Sequence, residues 1–260
     1  METGVDTDIA FSQINTDNSV IEVRNLYKNF GGNKVLNGFE LTLYEGETLV
    51  VVGKSGAGKT VMIKCLVGLM AGDSGSVKVF GKEIQSLEQD DLDELRTDIG
   101  FLFQGSALYD SMTVRENLEF PMRRHFKKLG NDYNPNERVL EALESVGLVH
   151  AVDLMPSELS GGMKRRIALA RTLMLKPKII LYDEPTSGLD PITAKEIILL
   201  MMNIQKKYNT SSLVITHDMD CARAISNRVI ILIDGINYAE GTYKELSQSK
   251  DPKLQAFFKK

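Results

Sequence analysis

Gly53-Lys54-Ser55-Gly56-Ala57-Gly58-Lys59-Thr60 follows the apolar run Thr48-Leu49-Val50-Val51-Val52. It fits the pattern G-x-x-x-x-G-K-[ST], and the run before it reads as a buried strand. A strand, a glycine-rich turn and a helix in that order aim backbone N–H groups and the positive end of the helix dipole at one point. The oxygens of a nucleoside triphosphate suit that point. Gly53, Gly56 and Gly58 give the backbone freedom to close on phosphate, and Lys54, Ser55 and Ala57 complete the loop between them. Lys59 can reach the β- and γ-phosphates, and the Thr60 hydroxyl can hold Mg²⁺. The competing reading is an ordinary glycine-rich turn, which leaves the flanking strand and helix patterns unexplained. A dinucleotide fingerprint is excluded locally, because its third glycine would fall at Val61.

The chain has 260 residues, 43% hydrophobic and 25% charged, enough for a substantial core in one domain or two joined subdomains. A net charge of −4 gives no electrostatic case for nucleic-acid binding. Cys65 and Cys221 show no metal-ligand spacing and read as reduced, buried thiols. The apolar runs Val229–Ile233 and Ile197–Met202 are far shorter than the ~20 residues of a membrane span, so a membrane role must come through a partner. Residues 1–19 carry Glu2, Asp6, Asp8 and Asp17 and no Lys or Arg, which reads as a flexible acidic arm in the cytoplasm.

From Val20 to Phe80 the pattern is short and β-like, with strands expected at Val20–Val23, Glu40–Leu43, Thr48–Val52 and Ser76–Phe80. A helix is expected over Val61–Met70, ended by Gly72. Asp91–Ile167 reads as mostly helical, including Glu137–Val146, and is broken by a loop over Gly130–Asn136. The last third alternates: strands at Lys178–Tyr182, Ser212–Thr216 and Val229–Ile233, helices at Ile192–Tyr208 and Met219–Asn227. Such alternation predicts a parallel α/β sheet.

Two further stretches carry chemistry. Ile179-Ile180-Leu181-Tyr182-Asp183-Glu184 is an apolar strand ending in two acids, suited to placing Asp183 on Mg²⁺ and Glu184 against the attacking water as base. The competing reading is a strand-end pair that caps the next helix. Leu159-Ser160-Gly161-Gly162-Met163 opens a basic amphipathic helix with Ser160 at its N-cap, a second anion site.

With these residues in view, the sequence from 20 to about 250 resembles an ABC-type ATPase subunit, with Leu159–Met163 in the place of the family signature. The resemblance implies an α/β fold of the P-loop NTPase class: an ABC nucleotide-binding domain with a RecA-like parallel core, an antiparallel β subdomain and a helical subdomain inserted at about 91–165. Residues 251–260 are then a C-terminal tail. It implies ATP and Mg²⁺ as ligands and a homodimer in which Ser160, Gly161 and Gly162 act on the partner's nucleotide. By position, Gln104 matches the loop glutamine near Mg²⁺ and the water, Asp190 in Ser187-Gly188-Leu189-Asp190 matches the dimer-crossing loop, and His217 matches the switch histidine. A His at a strand end can equally be a hydrogen-bonded cap. Phe30 lies where the family places an aromatic on the adenine, with Tyr27 the competing ring. His125 and His150 match no family position and read as structural.

The stretch from Phe101 to Phe126, with Gly105-Ser106-Ala107-Leu108-Tyr109 and Phe120-Pro121-Met122-Arg123-Arg124-His125, is similar to the ATPase of bacterial phospholipid transporters that work with MCE proteins, the Mla type. That likeness implies a peripheral ATPase on the cytoplasmic face of the cell membrane, a permease docked near Gln104–Phe126 on Leu108, Tyr109 and Met112, and an MCE-domain partner. Arg115, Arg123, Arg124, Lys127 and Lys128 fit a face near the membrane or a solvated helix face equally. The alternatives are an importer ATPase for another substrate, and a soluble ABC ATPase without a permease, as in iron–sulfur assembly.

Overall fold

The computed structural model describes residues 17–125 and 134–259. Most of the acidic arm, together with Phe126, Lys127 and Lys128, therefore lies outside the described residues. The chain divides into two units, one formed by residues up to Leu87 and from Ser211 onward, the other by Glu88–Thr210.

In the first unit, β3 (Thr48–Gly53) is buried along its whole length. It pairs in parallel with β8 (Ser211–Thr216) on one side and β9 (Arg228–Ile233) on the other. A strand covered on both faces favours a continuous apolar run over an alternating one, which is why Leu49–Val52 carries no polar residue. β10 (Ile236–Gly241) adds antiparallel to β9. A second, antiparallel sheet has the order β2-β1-β4-β5, from β1 (Ser19–Phe30), β2 (Asn33–Tyr44), β4 (Ser74–Val79) and β5 (Lys82–Glu83). Glu47, fully buried, receives Arg228 Nε at 2.8 Å and Nη2 at 3.0 Å. Arg228 also bonds Glu240 and the Thr42 carbonyl, so this one cation joins β9, β10, the end of β2 and the turn into β3.

Helix α1 (Lys59–Leu66) is shorter than the expected Val61–Met70. Gly68, at φ +67°, ends it before Gly72 can: its N–H turns back to the Cys65 carbonyl, and Leu69 and Met70 both donate to the Lys64 carbonyl. Cys65 and Cys221 are buried free thiols, as their spacing predicts.

In the second unit, β6 (Ile99–Leu102) pairs in parallel with β7 (Ile179–Asp183). The helices are α2 (Gln89–Arg96), α3 (Val114–Arg124), α4 (Pro135–Ser145), α5 (Gly161–Thr172) and α6 (Pro191–Tyr208). Val114, Leu118, Val139, Leu143, Ile167 and Met174 build their shared core. β6 interrupts the stretch expected to be mostly helical: four residues carry too little periodicity to be seen, and the pairing with β7 makes them a strand. The expected loop at Gly130–Asn136 ends early, since Asn134 caps α4 and Pro135 opens it.

The first unit closes with α7 (Met219–Ile225), α8 (Tyr243–Ser247) and α9 (Pro252–Phe258). The segment expected to be a tail is thus a helix, capped by Asp251 and anchored by buried Leu254. Among the described residues, no helix is long and apolar enough to cross a membrane.

Candidate active site

Each unit carries its own share of the candidate residues. In the first, β3 delivers the chain into the glycine loop and α1 leaves it. Gly58 is the N-cap of α1 at φ +98°, and a Cβ there would stand 2.8 Å from the Val35 carbonyl oxygen. Both the backbone angle and the close approach therefore require glycine. Lys59 is buried, and its ammonium donates to the carbonyls of Gly53 at 2.5 Å and Lys54 at 3.2 Å, folding over the loop. The first turn of α1 has no acidic side chain, which leaves its dipole free to attract an anion. Lys54, Ser55, Gly56 and Thr60 are exposed, whereas Gly53 is buried and Ala57 half-buried.

A cavity of about 670 Å³ adjoins this loop, lined by Lys54–Ala57, by Lys34 and Val35 of β2, by Leu232–Gly235, and by Lys253 and Phe257 of α9. Sequence reading missed Lys253 and Phe257 because their segment read as a tail; the N-capping pair Asp251-Pro252 was the available signal. Phe30 ends β1 with its ring 46% exposed and the Lys28 ammonium 5.5 Å from the ring centroid. Tyr27 instead lies across Gly38, where a Cβ would come within 2.9 Å of its hydroxyl oxygen. Of the two rings, Phe30 has the more open face. His217, just past β8, is exposed. The cap of α7 belongs to its neighbour Asp218, which accepts from the Asp220 and Cys221 N–H groups.

In the second unit, β7 ends in Asp183 and Glu184, which are 9% and 8% exposed. Glu184 has φ +50°, a left-handed backbone that a non-glycine residue adopts at a cost of ~1–3 kcal/mol. Helix α6 is capped by Asp190, so the acid pair at the strand end is not serving as its cap. Asp190 accepts from the Thr193 hydroxyl at 2.6 Å and from the Ile192 and Thr193 N–H groups. These bonds, the Thr193 hydroxyl first, hold its carboxyl below the usual range. Ser160 caps α5, accepting from the Met163 N–H at 3.2 Å, and Gly161 leaves that helix end uncovered. Gln104 is exposed, with its amide nitrogen 3.4 Å from the Ser187 hydroxyl.

A smaller cavity of about 360 Å³ in this unit is lined by Phe101, Phe103, Tyr109, Phe120, Pro121 and Arg171 among others. Tyr109 is 44% exposed, its ring 4.7 Å from that of Phe120. Leu108 packs against the helical core, so of the three residues expected to receive a permease it belongs in part to the fold. Met112 is half-buried.

Thr60 in the first unit offers a hydroxyl oxygen, and Asp183 and Gln104 in the second offer a carboxylate and an amide oxygen; each is a donor type that Mg²⁺ accepts. Among the described residues no group of three or more His, Cys, Asp and Glu could form a metal cage.

A family profile described as "ABC transporter" matches residues 36–187, which contain the phosphate loop, the Ser160 helix start and the Asp183–Glu184 strand end. The chain belongs to the ABC transporter family. Within it, this ABC ATPase is 41% identical to the methionine import ATP-binding protein MetN of Clostridium tetani, over 87% of this chain and 70% of that protein. It is 37% identical to the Mycobacterium leprae protein named "Probable ribonucleotide transport ATP-binding protein mkl", over 91% of this chain and 68% of that one. In fold it is similar to the dimeric ATP-binding cassette MJ0796 in a post-hydrolysis state bound to ADP and Pi, with TM-score 0.77 and 32% identity over 86% of this chain and 98% of that one. It is also similar to cbiO1 of Clostridium perfringens, part of the ABC transporter complex cbiONQ, with TM-score 0.80 and 27% identity over 93% and 96%. The chain is therefore an ATP-binding, ATP-hydrolysing transporter subunit. The names of these relatives do not carry the finer likeness to lipid-transporter ATPases or an MCE partner.

Proposed function

We propose that this ABC ATPase works as a homodimer on the cytoplasmic face of a membrane, where ATP hydrolysis drives a permease. The observation that carries the reading is the glycine loop itself: an acid-free helix start, a buried Lys59 folded over the loop, and Gly58 packed too tightly on β2 for any side chain. In this reading Lys59 and the N–H groups of residues 55–60 hold the triphosphate, and the Phe30 ring lies against the base. Glu184 accepts a proton from the attacking water, and His217 and Gln104 orient the water and the γ-phosphate. Thr60, Asp183 and Gln104 would hold Mg²⁺, which when bound neutralises charge on the phosphates. Ser160, Gly161 and Gly162 complete the partner's nucleotide site, with Asp190 at the crossing loop.

Two cargo readings have separate support. The relative named for methionine import, at 41% identity, supports an importer of a small polar solute. Phospholipid transport, with an MCE-domain partner, is supported by the sequence likeness of Gly105–Tyr109 and Phe120–His125. A relative at a similar identity, 37%, carries a different cargo in its name, probable ribonucleotide transport. Purification of the tagged chain from detergent-solubilised membranes, followed by reconstitution of whatever co-purifies, separates the readings. Stimulation of ATPase activity by methionine with a solute-binding protein supports the importer, and movement of labelled phospholipid supports the lipid reading. Recovery of the chain with no membrane protein would overturn both in favour of a soluble ABC ATPase.

A further inference from the structure

Arg165 is 4% exposed on α5 and no ion pair holds it among the described residues. Its Nη1 donates to the Phe103 carbonyl at 2.8 Å and its Nη2 to the Ser187 carbonyl at 3.3 Å, while Nε is buried without a partner. Burial pushes its pKa down. A buried guanidinium held only by neutral carbonyls is expensive, and an apolar residue of similar size would serve packing better. The two carbonyls are what distinguish the site. Phe103 directly precedes Gln104, and Ser187 lies three residues past Glu184, whose carbonyl accepts the Ser187 N–H.

Six residues along the same helix, about 9 Å further on its axis, Arg171 donates to the Ala107 carbonyl at 2.7 Å and the Ser106 carbonyl at 3.1 Å. Ser106 and Ala107 both have positive φ, +61° and +49°. The loop from Phe103 to Ala107 is thus a strained turn bonded to α5 at two points, so moving it away from that helix breaks these hydrogen bonds. The N-cap of that helix is Ser160.

We propose that Arg165 is a positioning residue for ATP hydrolysis, tying the Ser160 helix to the Gln104 loop and to the turn after Glu184 so that all three move as one body. The planar fork of a guanidinium can span two carbonyls at once, which a single ammonium does less well. Arg171 extends the linkage to the cavity of Phe103, Ala107 and Tyr109, so that displacement of that cavity's wall pulls on the Ser160 helix end. The inference rests on the ATPase reading above.

The test uses the purified full-length chain and steady-state hydrolysis. Arg165→Met removes both contacts, and Arg165→Lys keeps the charge with one contact should the apolar variant fail to fold. The expected result is a fall in kcat of about tenfold with the KM for ATP changed by less than about twofold, because phosphate binding does not use this residue. Combined with Gln104→Ala, Arg165→Lys should cost little beyond Gln104→Ala alone, since both act through one loop. Wild-type kcat in Arg165→Lys, fully additive losses in the double variant, or a loss of kcat that only tracks the fraction of folded protein would each overturn the proposal. Failure of the underlying reading is seen separately, as wild-type chain whose turnover is absent or survives Lys59→Ala.

Discussion

The Thr193 methyl stands over Gly162 so closely that a Cβ on Gly162 would lie 2.8 Å from Thr193 Cγ2. Thr193 cannot swing away freely, because its hydroxyl donates to Asp190 at 2.6 Å and that carboxylate caps α6. The second glycine of the Ser160 helix start and the first turn of α6 are therefore fitted to one another. Gly162→Ala should cost about 1–3 kcal/mol through overpacking and disturb the Asp190 cap as well. Thr193→Ser removes the methyl and keeps the hydroxyl. In the double variant, thermal unfolding and ATP turnover should both return most of the way to wild type, and a double variant as impaired as Gly162→Ala would show that the methyl is not the obstacle.

Glu184→Gln keeps the shape of the side chain at its left-handed backbone position and removes the carboxylate proposed to accept a proton. Turnover should drop at least about 100-fold while ATP affinity is retained, and the ATP-bound variant should run as a dimer in size-exclusion chromatography. Wild-type turnover in this variant would assign the base elsewhere.

Ser160 and Lys59 are expected to act on the same nucleotide from different protomers. Lys59→Ala and Ser160→Arg should each be inactive as homodimers. Mixed together, they form heterodimers in which one composite site carries both defects and the other carries none, so part of the activity should return. Ser160→Arg also removes the cap on Met163 N–H, at a cost of about 1 kcal/mol, so folding of that variant is checked by its melting curve before mixing. If proven subunit exchange recovers no turnover, the trans arrangement is wrong.

Glu47 and Arg228 offer a stability test away from the chemistry. Glu47 is fully buried and bidentate on Arg228, so Glu47→Ala leaves a buried cation with only Glu240 and a carbonyl. Removing one partner of such a pair costs about 3–5 kcal/mol. Chemical denaturation should report a loss of that order, whereas a loss below ~1 kcal/mol would mean that Arg228 relaxes into solvent.

The phosphate loop, the acid pair and the Ser160 cap were legible because each rests on local chemistry: glycines where φ is positive, carboxylates at a strand end, a hydroxyl one residue before a helix. β6 was not legible, since Ile99–Leu102 becomes a strand only by pairing with β7. Sequence offers both Gly68 and Gly72 as ends for α1, and only the fold shows that it is Gly68 whose N–H turns back to the helix. Arg165 was invisible for a different reason. A basic residue on an amphipathic helix reads as solvated, and only the fold shows that it is buried against two backbone carbonyls.

Tyr109 decides between a docking surface and a core position for the loop beyond Gln104. Its backbone N–H is held by buried Asn117, whose amide nitrogen donates in turn to the carbonyls of Tyr109, Met112 and Thr113. The loop's shape therefore depends on Asn117, leaving the Tyr109 ring 44% exposed against Phe120 on the rim of the 360 Å³ cavity. An exposed aromatic beside an apolar hollow, backed by a rigid loop, is suited to bind an apolar helix from a permease. Tyr109→Glu should shift the melting temperature of the isolated chain by no more than a few degrees and leave ATP binding unchanged, because the ring contact it loses is with Phe120, itself exposed. The same variant should fail to co-purify with the permease, since an apolar helix seated there would have to desolvate a carboxylate where it now covers a ring. Unfolding of the isolated variant would place Tyr109 in the core, and a variant that still assembles a working transporter would exclude this face as the docking site.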